Sequence, residues 1–189
     1  MFAEPSTPLR GLRDALGRGV LYGHLRPIRA SRHLCAGADV QVEGVLWLPG
    51  SGRVVIGSRA RLLGRRAPIE LRAHDGALIW IGDDAVIEAG SSIEATKSVH
   101  VGAGARVGAF CKVMDNHFHR TTGDRGERPE PIPVVIGDRT ILGPRVVLLP
   151  GAVIGEDAWV APARIVSFRV PAGTPVGARD GAHLQRRVA

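Results

Sequence analysis

The sequence predicts an all-β protein, a single-stranded parallel β-helix built from six-residue units. Three observations predict this fold: an aliphatic residue recurs at every sixth position, glycine is frequent with 25 residues, and aromatic residues make up only 4% of the chain. Small aliphatic side chains suit thin repeating layers better than a core filled by large rings. The length of 189 residues suits one such domain.

The period of six is unbroken in the C-terminal half of the chain. Its aliphatic positions are Ile136, Leu142, Leu148, Ile154, Val160 and Val166. A helix would need apolar positions 3.6 residues apart and a lone strand would need every second position, so neither accounts for this spacing. Short strands joined by tight turns do, because each aliphatic then stacks on its equivalent one coil away.

The same unit continues upstream with one slip. Its positions are Ile81, Ile87, Ile93, Val101, Val107 and Val113, with fainter copies at Ile56 and Leu62 and first coils predicted at residues 40–42, 46–48 and 69–71. The step from Ile93 to Val101 is longer by two residues, which predicts an insertion at a corner. Cys111 falls on a small inward position and is interpreted as a buried packing residue, not as a nucleophile.

Three segments depart from the coil. Residues 1–35 are predicted to form a helical cap, because Thr7 suits an N-cap, Pro8 suits the first helical position and leucines follow at helical spacing. Residues 36–177 then form the β-helix, with a polar loop inserted at 114–135, and residues 178–189 form a tail. A long polar loop on a rigid scaffold commonly carries function.

Composition excludes several function classes. The net charge is +7, but the arginines are scattered and lack interleaved aromatic residues, so we expect no nucleic-acid binding. No apolar stretch is long enough to span a membrane and no signal-peptide pattern opens the chain, so we expect a soluble cytoplasmic protein. The two cysteines fit neither a disulfide framework nor a zinc spacing.

The inserted loop contains the candidate catalytic residues, in the run Asp115-Asn116-His117-Phe118-His119. A positioned histidine removes a hydroxyl proton near neutral pH. If the strand before the loop continues with period two, His117 and His119 point the same way. Both could equally be solvated loop histidines. They could also bind zinc together with His74 or His100 of another chain, although no spacing selects that set and we expect no metal.

These residues resemble the left-handed parallel β-helix acyltransferases with hexapeptide repeats, and within them the sugar and polysaccharide O-acetyltransferases. The resemblance covers roughly residues 52–173, and the repeat is densest at residues 79–119 and 134–154. The Asp-x-Asp-Phe-His segment of that family stands here as residues 115–119. The family's catalytic histidine therefore corresponds to His119, and His117 stands where an Asp is usual.

The resemblance implies a left-handed coil, a homotrimer with active sites between subunits, and acetyl-CoA as the co-substrate. His119 would deprotonate a hydroxyl of a small-molecule or glycan acceptor, and backbone N–H groups would hold the oxyanion. Acceptor contacts are expected from Glu88, Asp115, Asn116 and His117. Coenzyme A contacts are expected from Gly143, Pro144, Ala161, Pro162, Ser167 and Arg169.

Some positions depart from the family pattern. Glu88 stands where an Asn is common, Ile141 replaces a Trp, and Pro162-Ala163-Arg164 replaces an Ala-Gly-Ser turn. The cation that coenzyme A phosphates favour could come from Arg164, Arg169, Arg186 or Arg187. Two other hypotheses stay open: a non-catalytic β-helix scaffold that has lost coenzyme A binding, and a zinc enzyme of the carbonic anhydrase type on the same fold.

Overall fold

The computed structural model describes residues 33–118 and 129–177 of the chain. These residues form short strands joined by turns, and no helix occurs among them. The strands are β1 Leu34–Ala36, β2 Gln41–Trp47, β3 Arg53–Ile56, β4 Arg61–Ala73, β5 Leu78–Ile81, β6 Val86–Glu88, β7 Ser92–Ala95, β8 Ser98–Val101, β9 Arg106–Val107, β10 Lys112–Met114, β11 Val134–Ile136, β12 Ile141–Leu142, β13 Val147–Leu148, β14 Val153–Ile154, β15 Trp159–Val160, β16 Ile165–Val166, β17 Arg169–Val170 and β18 Pro175–Val176.

The strands stack in parallel on three faces, and the chain passes from one face to the next at corners. The first face has the order β1-β3-β5-β8-β11-β14-β17. Strands β2 and β4 are long and bend around a corner, so each contributes to two faces. Their first halves begin the second face, which continues through β6, β9, β12, β15 and β18. Their second halves begin the third face, which continues through β7, β10, β13 and β16. This arrangement is the parallel β-helix that the period of six predicts.

The register shows where the coil is regular and where it carries insertions. Ile136 pairs with Ile154 on the first face, an offset of 18 residues, which is three six-residue units. Val99 pairs with Val134, an offset of 35 residues, so the loop adds 17 residues to one coil without disturbing the strands on either side. The predicted slip after Ile93 lies at the turn between β7 and β8.

The core is a column of the predicted aliphatic positions. All twelve residues of the two series are buried with at most 1% of their surface exposed: Ile81, Ile87, Ile93, Val101, Val107, Val113, Ile136, Leu142, Leu148, Ile154, Val160 and Val166. Small residues such as Ala105, Cys111 and Ala152 fill the space beside them and are also fully buried. The interpretation of Cys111 as a packing residue is confirmed.

Aspartates and ion pairs hold the corner between the first and second faces. Asp138 Oδ1 accepts the backbone N–H of Ala103 in the preceding coil at 2.8 Å. The turn residues there adopt positive φ, as in Asp84 at 57° and Arg139 at 54°. Arg139 in turn donates to Asp157 in the next coil at 2.7 and 2.8 Å. Asp138, which follows Ile136 and Gly137 in the repeat, therefore links consecutive coils.

The segment boundaries differ slightly from the sequence expectations. The first strand begins at Leu34, so the β-helix starts two residues before the expected boundary, and the segment between β10 and β11 comprises residues 115–133. The expected N-terminal helix from Thr7 to Val20 and the tail at 178–189 lie outside the described residues. The left hand of the coil stays a prediction. None of the described residues belongs to a helix long and apolar enough to cross a membrane.

Candidate functional site

The loop leaves the coil at the corner between the third and first faces, which we call the third corner. Asp115 is fully buried there and caps the turn of the preceding coil. Its Oδ1 accepts the N–H of Thr96 at 2.7 Å, and its Oδ2 accepts those of Lys97 and Ser98 at 2.6 and 2.8 Å. Three backbone donors therefore hold both carboxylate oxygens. A contact between Asp115 and an acceptor stays a prediction.

The two ends of the loop meet at this corner. The N–H of Ile132 donates to the carbonyl of Asp115 at 2.8 Å, and the N–H of Gly151 donates to the carbonyl of Ile132 at 3.0 Å. The loop thus leaves and returns through a closed neck fixed to the coils on both sides. Asn116 is 5% exposed, and its side-chain oxygen accepts the N–H of Phe118 at 3.2 Å. This local turn directs the chain outward.

The strand before the loop does not continue into the histidine run. β10 ends at Met114, and Phe118 has a φ of +51°. The period-two argument that places His117 and His119 on one side therefore does not apply, because it requires extended backbone. His117 is exposed on the surface. His119 lies outside the described residues, so its role as the base stays a prediction.

A polar cluster that sequence reasoning missed lies on the third face, two coils above the loop neck. His74 Nε2 lies 2.6 Å from Glu94 Oε1. Arg72 donates to Glu70 at 2.7 and 3.2 Å, and its Nε lies 3.8 Å from Glu94 Oε1. Glu94 sits 20 or more positions from His74, Arg72 and Glu70 along the chain but on the adjacent coil, so the register between β4 and β7 brings it to them.

The loop contacts this cluster directly. The rings of Phe118 and His74 meet edge to face, with centroids 6.4 Å apart and planes at 67°. Phe118 immediately precedes His119 in the chain. The imidazole of His74 therefore lies beside the start of the segment that carries the predicted base.

Two of the expected coenzyme A residues, Ser167 and Arg169, lie at the third corner as well. Both are exposed, on the opposite side of the loop neck from His74: Ser167 lies in the turn between β16 and β17, and Arg169 is the first residue of β17. Backbone hydrogen bonds run from coil to coil along this corner, as in His74 N–H to Ala95 and Val153 N–H to Phe168. With coils about 4.8 Å apart, His74 and Ser167 each lie roughly 10 Å from the neck.

The other expected site residues lie at a different corner, between the second and third faces, which we call the second corner. Gly143 is buried, and a Cβ there would meet Pro162 N at 2.7 Å, so this glycine lets consecutive coils approach. Pro144 and Pro162 are exposed beside it, and Ala161 donates its N–H to Val176 at 2.9 Å. The structure places these four residues at one corner, apart from Ser167 and Arg169, and their contact with coenzyme A stays a prediction.

Glu88 belongs to the second corner too. It ends β6, and its Oε1 accepts a hydrogen bond from Arg106 Nε at 2.9 Å. Within one chain it lies across the third face from Asn116 and His117. The structure therefore divides the expected acceptor residues between two corners of the coil.

Burial shifts the pKa of two other candidate groups. It raises the pKa of the Cys111 thiol to about 11, so this sulfur is protonated at neutral pH and suits packing, not nucleophilic attack. Burial also lowers the pKa of His100, against the opposing effect of Asp138, and the ring stacks on Trp80 with centroids 6.3 Å apart. Over the described ranges, which omit His119, no group of three His, Cys, Asp or Glu residues is placed to hold a metal ion.

Known proteins with similar sequences contain the same six-residue repeat. The model of the hexapeptide repeat of succinyl-transferase matches residues 79–95 and 133–161. These two stretches carry the hexapeptide repeat that the model describes. A curated relative, the 2,3,4,5-tetrahydropyridine-2,6-dicarboxylate N-acetyltransferase of Staphylococcus aureus, is 38% identical over 80 residues. That stretch is 42% of this hexapeptide-repeat chain and 27% of the relative, so the chain spans about a quarter of the relative's length.

Solved structures of hexapeptide-repeat proteins share the fold. AntD, an N-acyltransferase from Bacillus cereus in complex with dTDP-4-amino-4,6-dideoxyglucose and coenzyme A, aligns with a TM-score of 0.64 at 18% identity, over 76% of this chain and 78% of AntD. A hexapeptide-repeat acetyltransferase from Vibrio cholerae aligns at 0.57 and 18% identity, over 93% and 89% of the two chains. A maltose O-acetyltransferase from Clostridium difficile aligns at 0.51 and 17%, over 82% and 74%.

Proposed function

We propose that this hexapeptide-repeat protein transfers an acetyl or other acyl group from its coenzyme A thioester to a hydroxyl of a sugar or glycan precursor, with His119 as the general base. The observation that carries the proposal is the closed neck at the third corner. The neck fixes the start of the segment containing His119 between the Ser167–Arg169 turn on one side and the His74–Glu94 pair on the other. Donor and acceptor can then meet at the loop.

The coils below the neck suit a coenzyme A thioester. Ile165 is 67% exposed and Phe168 is 42% exposed on this surface, which offers apolar contact for a pantetheine chain. Arg169 is exposed nearby, and Arg145 and Arg164 are exposed at the second corner. Guanidinium groups bind phosphates through paired N–H donors. The complex of AntD with coenzyme A supports this assignment of the donor.

A homotrimer would complete the site. In one chain the second-corner residues and the loop lie on opposite edges of the third face, separated by roughly 15 Å of extended backbone. A neighbouring subunit would place its own second corner, with Glu88 and Gly143, against this loop. We therefore propose that each active site lies between two subunits, with the loop from one and the second corner from the other.

The chemistry needs one proton acceptor and a site for a developing negative charge. His119 accepts the hydroxyl proton while the oxygen bonds to the thioester carbonyl carbon. Backbone N–H groups hold the oxyanion that forms. When the carbon–sulfur bond breaks, His119 returns the proton to the thiolate sulfur. The transfer is direct, and the buried, protonated thiol of Cys111 takes no part in it.

The decisive experiment compares His119→Ala with the wild-type protein and with His33→Ala as a matched histidine control. We expect kcat for acetyl transfer to fall by about 10²- to 10⁴-fold in His119→Ala, which is the usual contribution of a general base. Thermal unfolding and sedimentation should stay unchanged, and His33→Ala should retain full activity. Acetyl transfer at the wild-type rate by His119→Ala would exclude His119 as the base.

Two measurements separate the proposal from its rivals: titration calorimetry with acetyl-CoA and elemental analysis for zinc. Saturable binding by the wild-type protein supports an enzyme, whereas a scaffold that has lost coenzyme A binding gives no saturable heat. Stoichiometric zinc in elemental analysis would support the carbonic anhydrase alternative.

A further inference from the structure

The His74–Glu94 pair does not bind the backbone of a neighbouring coil through its side chains, as Asp115 does. Its side chains are 40% and 19% exposed, so it stands at the surface of the third face and not between the coils. The coil is already closed at this level by backbone hydrogen bonds, such as His74 N–H to the Ala95 carbonyl at 2.9 Å. The side chains are therefore available for another role.

The pairing fixes the tautomer of His74. An ionised carboxylate offers acceptors only, so the hydrogen between Nε2 and Glu94 Oε1, 2.6 Å apart, belongs to the imidazole. The neutral ring then has an unprotonated Nδ1, which is a hydrogen-bond acceptor. No described residue donates a hydrogen bond to Nδ1, and the ring is exposed to an incoming ligand.

The cluster around the pair holds it in place before any ligand arrives. Arg72 lies 3.8 Å from Glu94 and is bound to Glu70 by two hydrogen bonds. Ser92 donates to the other oxygen of Glu70 at 3.2 Å. A binding group gains most when its own partners fix its orientation in this way.

The position of the pair relative to the loop indicates which substrate it meets. The His74 ring touches Phe118, the residue before the proposed base. The proposed coenzyme A surface around Ser167 and Ile165 lies on the opposite side of the loop neck. A group that contacts the residue preceding the proposed base, and that lies away from the proposed donor surface, is suited to contact the acceptor.

We propose that His74, oriented by Glu94, is a specificity-determining residue for the acceptor. Its Nδ1 accepts a hydrogen bond from a hydroxyl other than the one that is acylated, so the site selects polyols with a second hydroxyl near the reacting one. This inference rests on the proposed acyl transfer, and His74 takes no proton in it.

The kinetic test uses two variants. His74→Phe keeps a ring against Phe118 but removes the accepting Nδ1. Glu94→Gln removes the carboxylate that fixes the hydrogen of His74 on Nε2. We expect the acceptor KM to rise about tenfold or more in His74→Phe, the usual effect of one lost hydrogen bond, while kcat and the acetyl-CoA KM change by less than about threefold. Asp84→Asn, which breaks the Arg59–Asp84 pair on a remote corner, is the matched control and should behave as wild type.

A deoxy analogue of the acceptor sharpens the test. Removing the second hydroxyl should raise KM for the wild-type protein as much as His74→Phe does, and combining both changes should add little. An unchanged acceptor KM in His74→Phe, or a fall in kcat alone, overturns the inference while leaving acyl transfer intact.

Long-range proton–nitrogen NMR on histidine-labelled protein tests the geometry without turnover. We expect the His74 ring to carry its hydrogen on Nε2 at pH 8 and to lose this preference in Glu94→Gln. A ring protonated on Nδ1 in the wild-type protein overturns the inference irrespective of activity. Failure of the proposed function would look different, with neither binding nor transfer from acetyl-CoA by a protein whose His74 tautomer is as expected.

Discussion

Asp115 shows how a single side chain can connect the coil to the loop. Its carboxylate accepts three backbone N–H groups of the preceding coil, and its carbonyl accepts the N–H of Ile132 at the other end of the loop. One buried residue therefore closes a corner that is lengthened by Thr96 and Lys97 and also anchors the neck. The position of the neck therefore depends on Asp115.

Asp115→Asn should destabilise the protein, because an amide would turn two donors toward backbone donors. We expect the free energy of unfolding to fall by about 2–3 kcal/mol, as for a lost hydrogen-bonded charge in a buried position. Denaturant titration measures the loss. Asp75→Asn, at an exposed position of an equivalent corner, is the control and should change stability by less than about 0.5 kcal/mol. Equal stability of the two variants would contradict this role.

The two cysteines should differ in reactivity. At pH 8 the folded protein should react quickly with a thiol reagent at the half-buried Cys35 and not at Cys111, whose pKa is raised to about 11. Reagent titration should count one fast thiol in the native protein and two after unfolding. Two fast native thiols would contradict the buried position of Cys111.

The raised pKa of Cys111 makes the free energy of unfolding depend on pH in the alkaline range. The pKa of Cys111 is higher in the folded state than the ordinary value of 9.0, so the unfolded thiol loses its proton first. The contribution of this group is fully present below pH 9 and is lost as pH rises toward 11. Cys111→Ala should remove that part of the alkaline decline.

At the scale of the elements, the corner glycines keep consecutive coils in contact. A Cβ on Gly102 would lie 2.5 Å from the backbone N of Asp138 in the next coil, and the same crowding occurs at Gly82 and Gly137. Gly76 differs, since it has a φ of +71° and a Cβ there would meet nothing within 4 Å. Gly82, Gly102 and Gly137 are required because a side chain would not fit between the coils. Gly76 is required because of its positive φ.

This contrast predicts two different costs for the same substitution. Gly102→Ala should lower the free energy of unfolding by about 3 kcal/mol, because two coils must separate. Gly76→Ala should cost only about 1 kcal/mol, the strain of a left-handed alanine. Thermal and denaturant unfolding of the two variants measure the difference. A smaller effect at Gly102 than at Gly76 would contradict the stacking argument.

At the scale of the whole molecule, the sequence predicts the coil better than the site. The period of six identifies the inward column from Ile81 to Val166 because each buried position repeats locally. The His74–Glu94 pair has no such signal, since the two residues are neighbours only through the β4–β7 register. That register depends on insertions whose lengths vary from coil to coil. The left-handed φ of Phe118 is likewise invisible in the residue order.

The sequence does contain a partial signal for the structural role of Asp115. The slip after Ile93 predicts an enlarged corner, and an enlarged corner exposes backbone N–H groups that need acceptors. An aspartate one coil later, at the matching position, could have been assigned to them. The residue order does not show which backbone N–H groups lie beside Asp115, because Lys97 and Ser98 reach it only through the stacking of consecutive coils.

The closed neck has a consequence for how such proteins diversify. Since Val99 and Val134 remain paired across the whole insertion, the intervening segment can lengthen, shorten or be exchanged while every rung of the ladder keeps its partner. Under the proposed function, a change of acceptor requires exchange of this one segment and leaves the stacked strands unchanged. The coil and the inserted segment can therefore change independently of each other.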